Sequence, residues 1–97
     1  MRSVDLAVYA DALAGESASL AAKAERARSR LRQAAIEKRA RAQLSDTAIE
    51  RLEDLGLLGS IDESAVRAEL RELEAARDAL DELQVWVEAQ LGEATAA

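Results

Sequence analysis

The stretch that decides the fold is residues 3–44, SVDLAVYADALAGESASLAAKAERARSRLRQAAIEKRARAQL. Apolar or small residues recur in it at spacings of three and four: Leu6, Ala10, Leu13, Ser17, Leu20, Ala24, Ala27, Leu31 and Ala34. This is the heptad spacing of a helix that packs along a coiled-coil seam. Because the stretch lacks proline and is rich in good helix formers, it predicts a single helix one over about residues 3–44.

The apolar pattern shifts near the end of this helix. After Leu31, the apolar positions Ile36, Ala40 and Leu44 fall on a face that is rotated away from the first seam. We therefore expect another element of the chain to pack against this rotated face.

A short helix two is predicted over about residues 47–55. Thr47 and Glu50 have the spacing of a capping box, which marks the start of a helix. Ile49 and Leu52 are the residues that this helix is expected to bury. Gly56 stands where a residue in the left-handed conformation would end it.

A long helix three is predicted over about residues 61–91. Its capping box is Ser60 with Glu63, and Gly92 is the expected stop. One stripe of the helix is apolar, as in a helix that packs along its length. The stripe consists of Val66, Leu70, Leu73, Ala76, Leu80, Leu83, Val87 and Leu91.

These elements predict an all-α fold with one domain over residues 1–97. The two long helices form an antiparallel hairpin, with Leu44 opposite Ile61 and helix two at the tip. The core of such a hairpin is thin, because many apolar residues are alanines and the chain has one Trp, one Tyr and no Phe. We expect two copies to associate into a four-helix bundle that covers more apolar surface.

The amino-acid composition argues against several classes of function. With no Cys and no His, the chain cannot form disulfides or a Glu-x-x-His di-iron centre, and no cofactor is expected. Asp5 and Asp11 interrupt what would be the apolar region of a signal peptide. No apolar run reaches the roughly 18 residues that a membrane span needs. We expect a soluble, cytoplasmic protein that does not bind membranes.

Eight of the thirteen Lys and Arg residues are crowded into one segment, residues 23–41. The basic segment consists of Lys23, Arg26, Arg28, Arg30, Arg32, Lys38, Arg39 and Arg41. The register places it beside residues 64–82, so its cations are expected mainly to pair with carboxylates of helix three. Steps of two residues scatter the arginines around the helix, and no aromatics interleave, so nucleic-acid binding is not favoured. The alternative is an anion-binding patch at Arg28, Arg32, Lys38 and Arg39.

Two further groups of residues are candidates for contacts. Trp86, Leu83, Val87 and Tyr9 are expected to form the interface with a second copy, because tryptophan is enriched among interface hot spots. The alternative for Trp86 is an anchor in the core beside residues 17–20, where small residues leave room for its ring. Leu57 and Leu58 are expected to fold inward over the tip and, with Asp54, to contact a protein partner. The predicted function is therefore a non-catalytic interaction, scaffold or regulatory module that acts as a homodimer.

The order long helix, short helix, long helix also resembles two known families. It is similar to the all-helical chorismate mutases, and that resemblance implies an enzyme with a dicarboxylate site at Arg28, Lys38, Arg51, Glu50 and Gln84. A hairpin with an acidic tip also resembles the coiled-coil transcript-cleavage factors, which implies binding to RNA polymerase. Both resemblances rest on the order and shape of the helices.

Overall fold

The computed structural model describes residues 3–96 and contains three helices in that range, with no strand. Helix α1 spans Ser3–Gln43, α2 spans Asp46–Asp54 and α3 spans Glu63–Ala96. The all-helical prediction is confirmed, as is the order of a long, a short and a second long helix. The absence of proline lets α1 continue for 41 residues and α3 for 34.

The caps of the helices differ from those that the sequence predicted. The side-chain oxygen of Ser45 accepts a hydrogen bond from the Ala48 N–H at 3.2 Å, so Ser45 is the N-cap of α2. The predicted cap, Thr47, lies inside the helix, which begins at Asp46. At the start of α3, Asp62 rather than Ser60 accepts a bond, from the Ala65 N–H at 3.1 Å. At the start of both α2 and α3, the capping side chain accepts a hydrogen bond from the backbone N–H three residues later.

The two glycines predicted to end helices behave differently. Gly56 follows α2 with a φ of 73°, the left-handed conformation that was expected there. Gly92 does not stop α3, which continues to Ala96. Glycine lowers helix propensity by about 1 kcal/mol, which a helix of this length can absorb.

The chain divides into two compact units, and each is described separately. Unit 1 joins the part of α1 up to Ala24 with the part of α3 from Arg71 onward. Its buried apolar residues include Leu6, Leu13, Ala24 and Val87, and the remaining α1 seam positions in this unit are half-buried. The heptad seam predicted for α1 is thus the packed face of unit 1.

Unit 2 comprises Glu25–Leu70. Its buried residues are Ala27, Ala34, Glu37, Leu58 and Val66. The predicted shift of the seam after Leu31 is wrong, because the packed face continues straight on to Glu37.

Ile36, Ile49 and Leu52 of unit 2 are more exposed than predicted. Ile36, on the supposed rotated face, is 66% exposed. Helix α2 buries none of its residues, and Ile49 and Leu52 are half-buried.

The register between α1 and α3 also differs from the prediction. In unit 2, Arg30 lies 3.6 Å from Glu69, whereas the predicted register would set it opposite Ala75. Apart from Lys23, which belongs to unit 1, the basic segment shares its unit with α3 only as far as Leu70, and not with the rest of residues 64–82. The error came from pairing Leu44 with Ile61, since Leu44 is exposed and not part of the packed face.

Candidate functional site

The four residues predicted to form an interface between two copies differ in exposure: two are exposed and two are buried or half-buried. Trp86 and Tyr9 are 49% and 44% exposed. Leu83 is half-buried, and Val87 exposes 1% of its surface. Val87 lines a small cavity of unit 1 with Ala10, Ala14, Gln84 and Glu88. Of these four residues, the two aromatic ones are therefore the exposed members, while Leu83 is half-buried and Val87 is buried in the unit.

The aromatic rings belong to the same part of unit 1. Tyr9 directly precedes Ala10 on α1, and Trp86 directly precedes Val87 on α3. Because Ala10 and Val87 line one cavity, the two rings start from neighbouring points of the backbone. Both residues carry the predicted interface, and both are about half exposed to solvent.

The segment after α2 carries the second predicted contact. Leu58 is buried, as expected, but Leu57 is exposed, so the expectation that both leucines fold inward is wrong. Leu55, the C-cap residue of α2, is also exposed, as is Asp54. Leu57 and Leu58 both donate their backbone N–H to the carbonyl oxygen of Leu52, at 2.9 and 3.3 Å. These two hydrogen bonds to one carbonyl oxygen hold the turn in which Leu58 is buried and Leu57 is exposed.

The four candidates for an anion patch do not share one environment. Arg32 donates a 2.7 Å hydrogen bond to Glu25, and Arg28 lies 3.8 Å from the same carboxylate. This hydrogen bond, together with the positive charge of Arg32, holds the pKa of Glu25 below its ordinary value. Lys38 lines a cavity that also contains Glu37 and Glu63, and Arg39 is exposed. The structure therefore distributes these cations over several places on α1.

Glu37 is a feature that the sequence analysis missed. It is 6% exposed, and its Oε1 accepts hydrogen bonds from the Gln33 amide at 3.1 Å and from the Gly59 N–H at 3.2 Å. The bond from Gln33, and after it the bond from Gly59, hold the pKa of Glu37 below its ordinary value, although burial raises it. Its position three residues after Ala34 continues the seam, and that spacing is the signal that could have identified it.

Arg41 completes the contacts around Glu37. Its Nη2 donates a 2.9 Å hydrogen bond to the Gly59 carbonyl and lies 3.7 Å from Glu53. Both polar groups of the Gly59 backbone are thus bound to side chains of α1. The arrangement fastens the turn between α2 and α3 to α1.

The adjacent cavity has a balanced set of charges. Lys38 and Arg41 line it with Glu37 and Glu63, together with Ala34 and Ile61. Gln84, which the chorismate-mutase resemblance groups with Lys38, lines the separate cavity in unit 1. Within the described part of the chain, no three acidic side chains are grouped so that they could hold a metal ion.

Comparisons with known proteins give no family assignment. No family model matches the chain, and no similar protein was found among curated sequences or solved structures. Over residues 3–96, none of the helices has an apolar segment of the length required to cross a bilayer.

Proposed function

We propose that this chain is a non-catalytic helical module that acts through protein–protein contacts and binds a second copy of itself. The observation that carries the proposal is the half-exposed pair Tyr9 and Trp86 in unit 1. They are the only Tyr and Trp in the sequence, so the chain leaves both of its aromatic rings partly in water. We place this module in the cytoplasm, in line with the lack of cysteine.

Helix geometry supports one shared surface for the two rings. In the antiparallel hairpin that we propose, each ring precedes a packed position by one residue, Ala10 for Tyr9 and Val87 for Trp86. One residue turns an α-helix by about 100°, and in antiparallel neighbours this step leads to the same flank. Tyr9 and Trp86 then form a continuous aromatic patch on one flank of unit 1.

Energetics favour covering this patch. Trp and Tyr supply large apolar contact areas at a small cost in side-chain entropy, and they are enriched among interface hot spots. Unit 1 has a small buried core, and two of its buried residues are Leu6 and Leu13. A second copy that packs flank against flank completes a four-helix bundle and removes the rings from water.

The segment after α2 provides a contact for another protein. Leu55 and Leu57 are exposed there beside Asp54, and α2 itself carries Asp46, Glu50 and Glu53 against a single Arg51. An apolar centre with an acidic border is complementary to an amphipathic helix that carries Lys or Arg at its edges. We propose a partner of that chemistry for this surface.

The self-association is tested by measuring the mass of wild-type protein and of Trp86→Ala by sedimentation velocity over a range of concentrations. We expect Trp86→Ala to weaken association and to lower the average mass. Val85→Ala is the matched control, because Val85 is the exposed neighbour of Trp86 on a different face of α3. Helical content from circular dichroism checks that all variants are folded.

Two results contradict the proposal. One is a wild-type chain that stays monomeric at every concentration; the other is a Trp86→Ala variant whose mass equals that of wild type. The emission spectrum of Trp86 gives an independent reading, since its maximum should move to longer wavelength as the protein is diluted and the ring becomes hydrated.

A further inference from the structure

One segment of unit 2 buries very little of its own surface. We call residues 45–61 the strap; it comprises α2 and most of the turn that leads to α3, and it lies wholly within unit 2. Among residues 45–61, Leu58 alone is buried. The burial of apolar groups is the main term that favours folding, so a segment with one buried side chain has a low local stability.

The polar contacts between the strap and α1 converge on Gly59 and Arg41. The Gly59 N–H donates a hydrogen bond to Glu37 Oε1 at 3.2 Å, and the Gly59 carbonyl oxygen accepts one from Arg41 Nη2 at 2.9 Å. Arg41 also lies 3.7 Å from Glu53 on α2. We call these three contacts the clasp. The clasp and the neighbouring buried Leu58 hold the strap on α1.

The backbone hydrogen bonds around the turn stay within the strap. The Leu55 N–H donates to the carbonyl oxygen of Arg51, and the N–H groups of Leu57 and Leu58 donate to that of Leu52. Moving the strap away from α1 as a body breaks none of these bonds. It breaks the clasp and brings Leu58 into water.

Helix α2 is too short to stay folded once the strap leaves α1. It has nine residues, and an isolated helix shorter than about 12 residues is marginal in water. Release of the strap and unfolding of α2 are therefore one event. Residues 27–34 of α1 differ, because they lie inside a 41-residue helix and include the buried Ala27 and Ala34.

We propose that the strap is an order–disorder device: it folds when the clasp closes on Gly59, and it unfolds as a unit while the α1 and α3 segments of unit 2 stay folded. This opening goes beyond the proposed function and does not depend on it.

The opening would regulate the proposed contact with a basic amphipathic helix. Leu55 and Leu57 belong to the strap, so a partner that binds them binds only the closed form. Its apparent affinity falls in proportion to the fraction of chains that are closed. This consequence rests on the proposed function, whereas the experiment below needs no partner.

Hydrogen exchange of the whole chain, followed by mass spectrometry, tests the opening. In the wild-type protein, we expect the amides of residues 46–58 to exchange at least about tenfold faster than those of residues 27–34. They should still exchange more slowly than in the chain unfolded by urea, because the closed strap protects them.

Two pairs of matched variants assign this protection to the clasp and to Leu58. Arg41→Met removes the guanidinium of the clasp, and Arg39→Met makes the same change at an exposed position of the same helix. Leu58→Ala removes the buried side chain, and Leu57→Ala makes the same change at its exposed neighbour.

Arg41→Met and Leu58→Ala should each raise the exchange rate of residues 46–58 by about tenfold, or to the rate of the unfolded chain. The rate of residues 27–34 should not change, and both controls should behave as wild type. The proposal is overturned if the wild-type strap exchanges at the rate of residues 27–34, or at the rate of the unfolded chain. It is also overturned if either variant matches its control, or accelerates both segments equally.

Discussion

Replacement of Val87 by Ala tests the packing of unit 1. Val87 exposes 1% of its surface and lines a cavity with Ala10 and Ala14, so the truncation removes buried atoms. Val85, two residues earlier on the same helix, is 65% exposed. The pair of variants Val87→Ala and Val85→Ala therefore makes one chemical change in two environments.

The magnitude follows from the carbon atoms that leave the core. The change removes the equivalent of two methylene groups at about 0.8 kcal/mol each, and the cavity left behind adds to that loss. Ala is a better helix former than Val by about 0.5 kcal/mol, and this gain applies at both positions. We expect Val87→Ala to lower the free energy of unfolding by about 1–2 kcal/mol, and Val85→Ala to raise it by about 0.5 kcal/mol.

Urea denaturation followed by circular dichroism measures the difference, with all proteins at one concentration because self-association also contributes to stability. In thermal melts, a difference of about 2 kcal/mol corresponds to roughly 8–16 °C in Tm for a domain of this size. Equal stabilities of the two variants would refute the packing of Val87 against α1. So would a Val85→Ala variant that is the less stable of the two.

Two further changes test the contacts of unit 2. The pKa of Glu37 lies below its ordinary value of 4.5, so its stabilisation is complete above that pH and declines as the pH falls through the folded-state pKa. In Glu37→Gln, the free energy of unfolding should therefore fall less steeply with decreasing pH than in Glu50→Gln, which changes an exposed residue. An equally steep fall in both variants would contradict the stabilising contacts of Glu37. Ser45→Ala should cost about 1 kcal/mol by removing the cap of α2. Thr47→Ala should leave the free energy of unfolding nearly unchanged. If urea denaturation shows that Thr47→Ala destabilises the protein more than Ser45→Ala does, then Thr47 is the cap of α2.

Much of the fold could be predicted because helix periodicity is a local property. The seam from Leu6 to Ala34 followed from spacing alone, and every one of its positions is buried or half-buried. The three helices followed from the same periodicity, the lack of proline and the left-handed Gly56. Errors of a few residues arose at the caps, where Ser45 and Asp62 competed with equally suitable neighbours.

The candidate surfaces could be predicted in part. Trp86 and Tyr9 were predicted as contact residues; both are about half exposed, and the contact itself stays a prediction. Leu57 was misjudged as buried, because the exposure of a residue depends on how neighbouring segments pack over it, whereas Val87 is buried as its place on the apolar stripe of helix three predicted.

The sequence by itself determined the helices, the packed seam of α1 and the separation of charge along that helix, since each depends on residues at most a few turns apart. The tertiary structure alone decided the register between α1 and α3 and the bond from Gly59 to Glu37. The Glu37 carboxylate is held by Gly59, 22 residues away, and the Arg30–Glu69 pair joins two different helices. Contacts across such separations depend on how the chain turns between α1 and α3, and no local spacing encodes that turn.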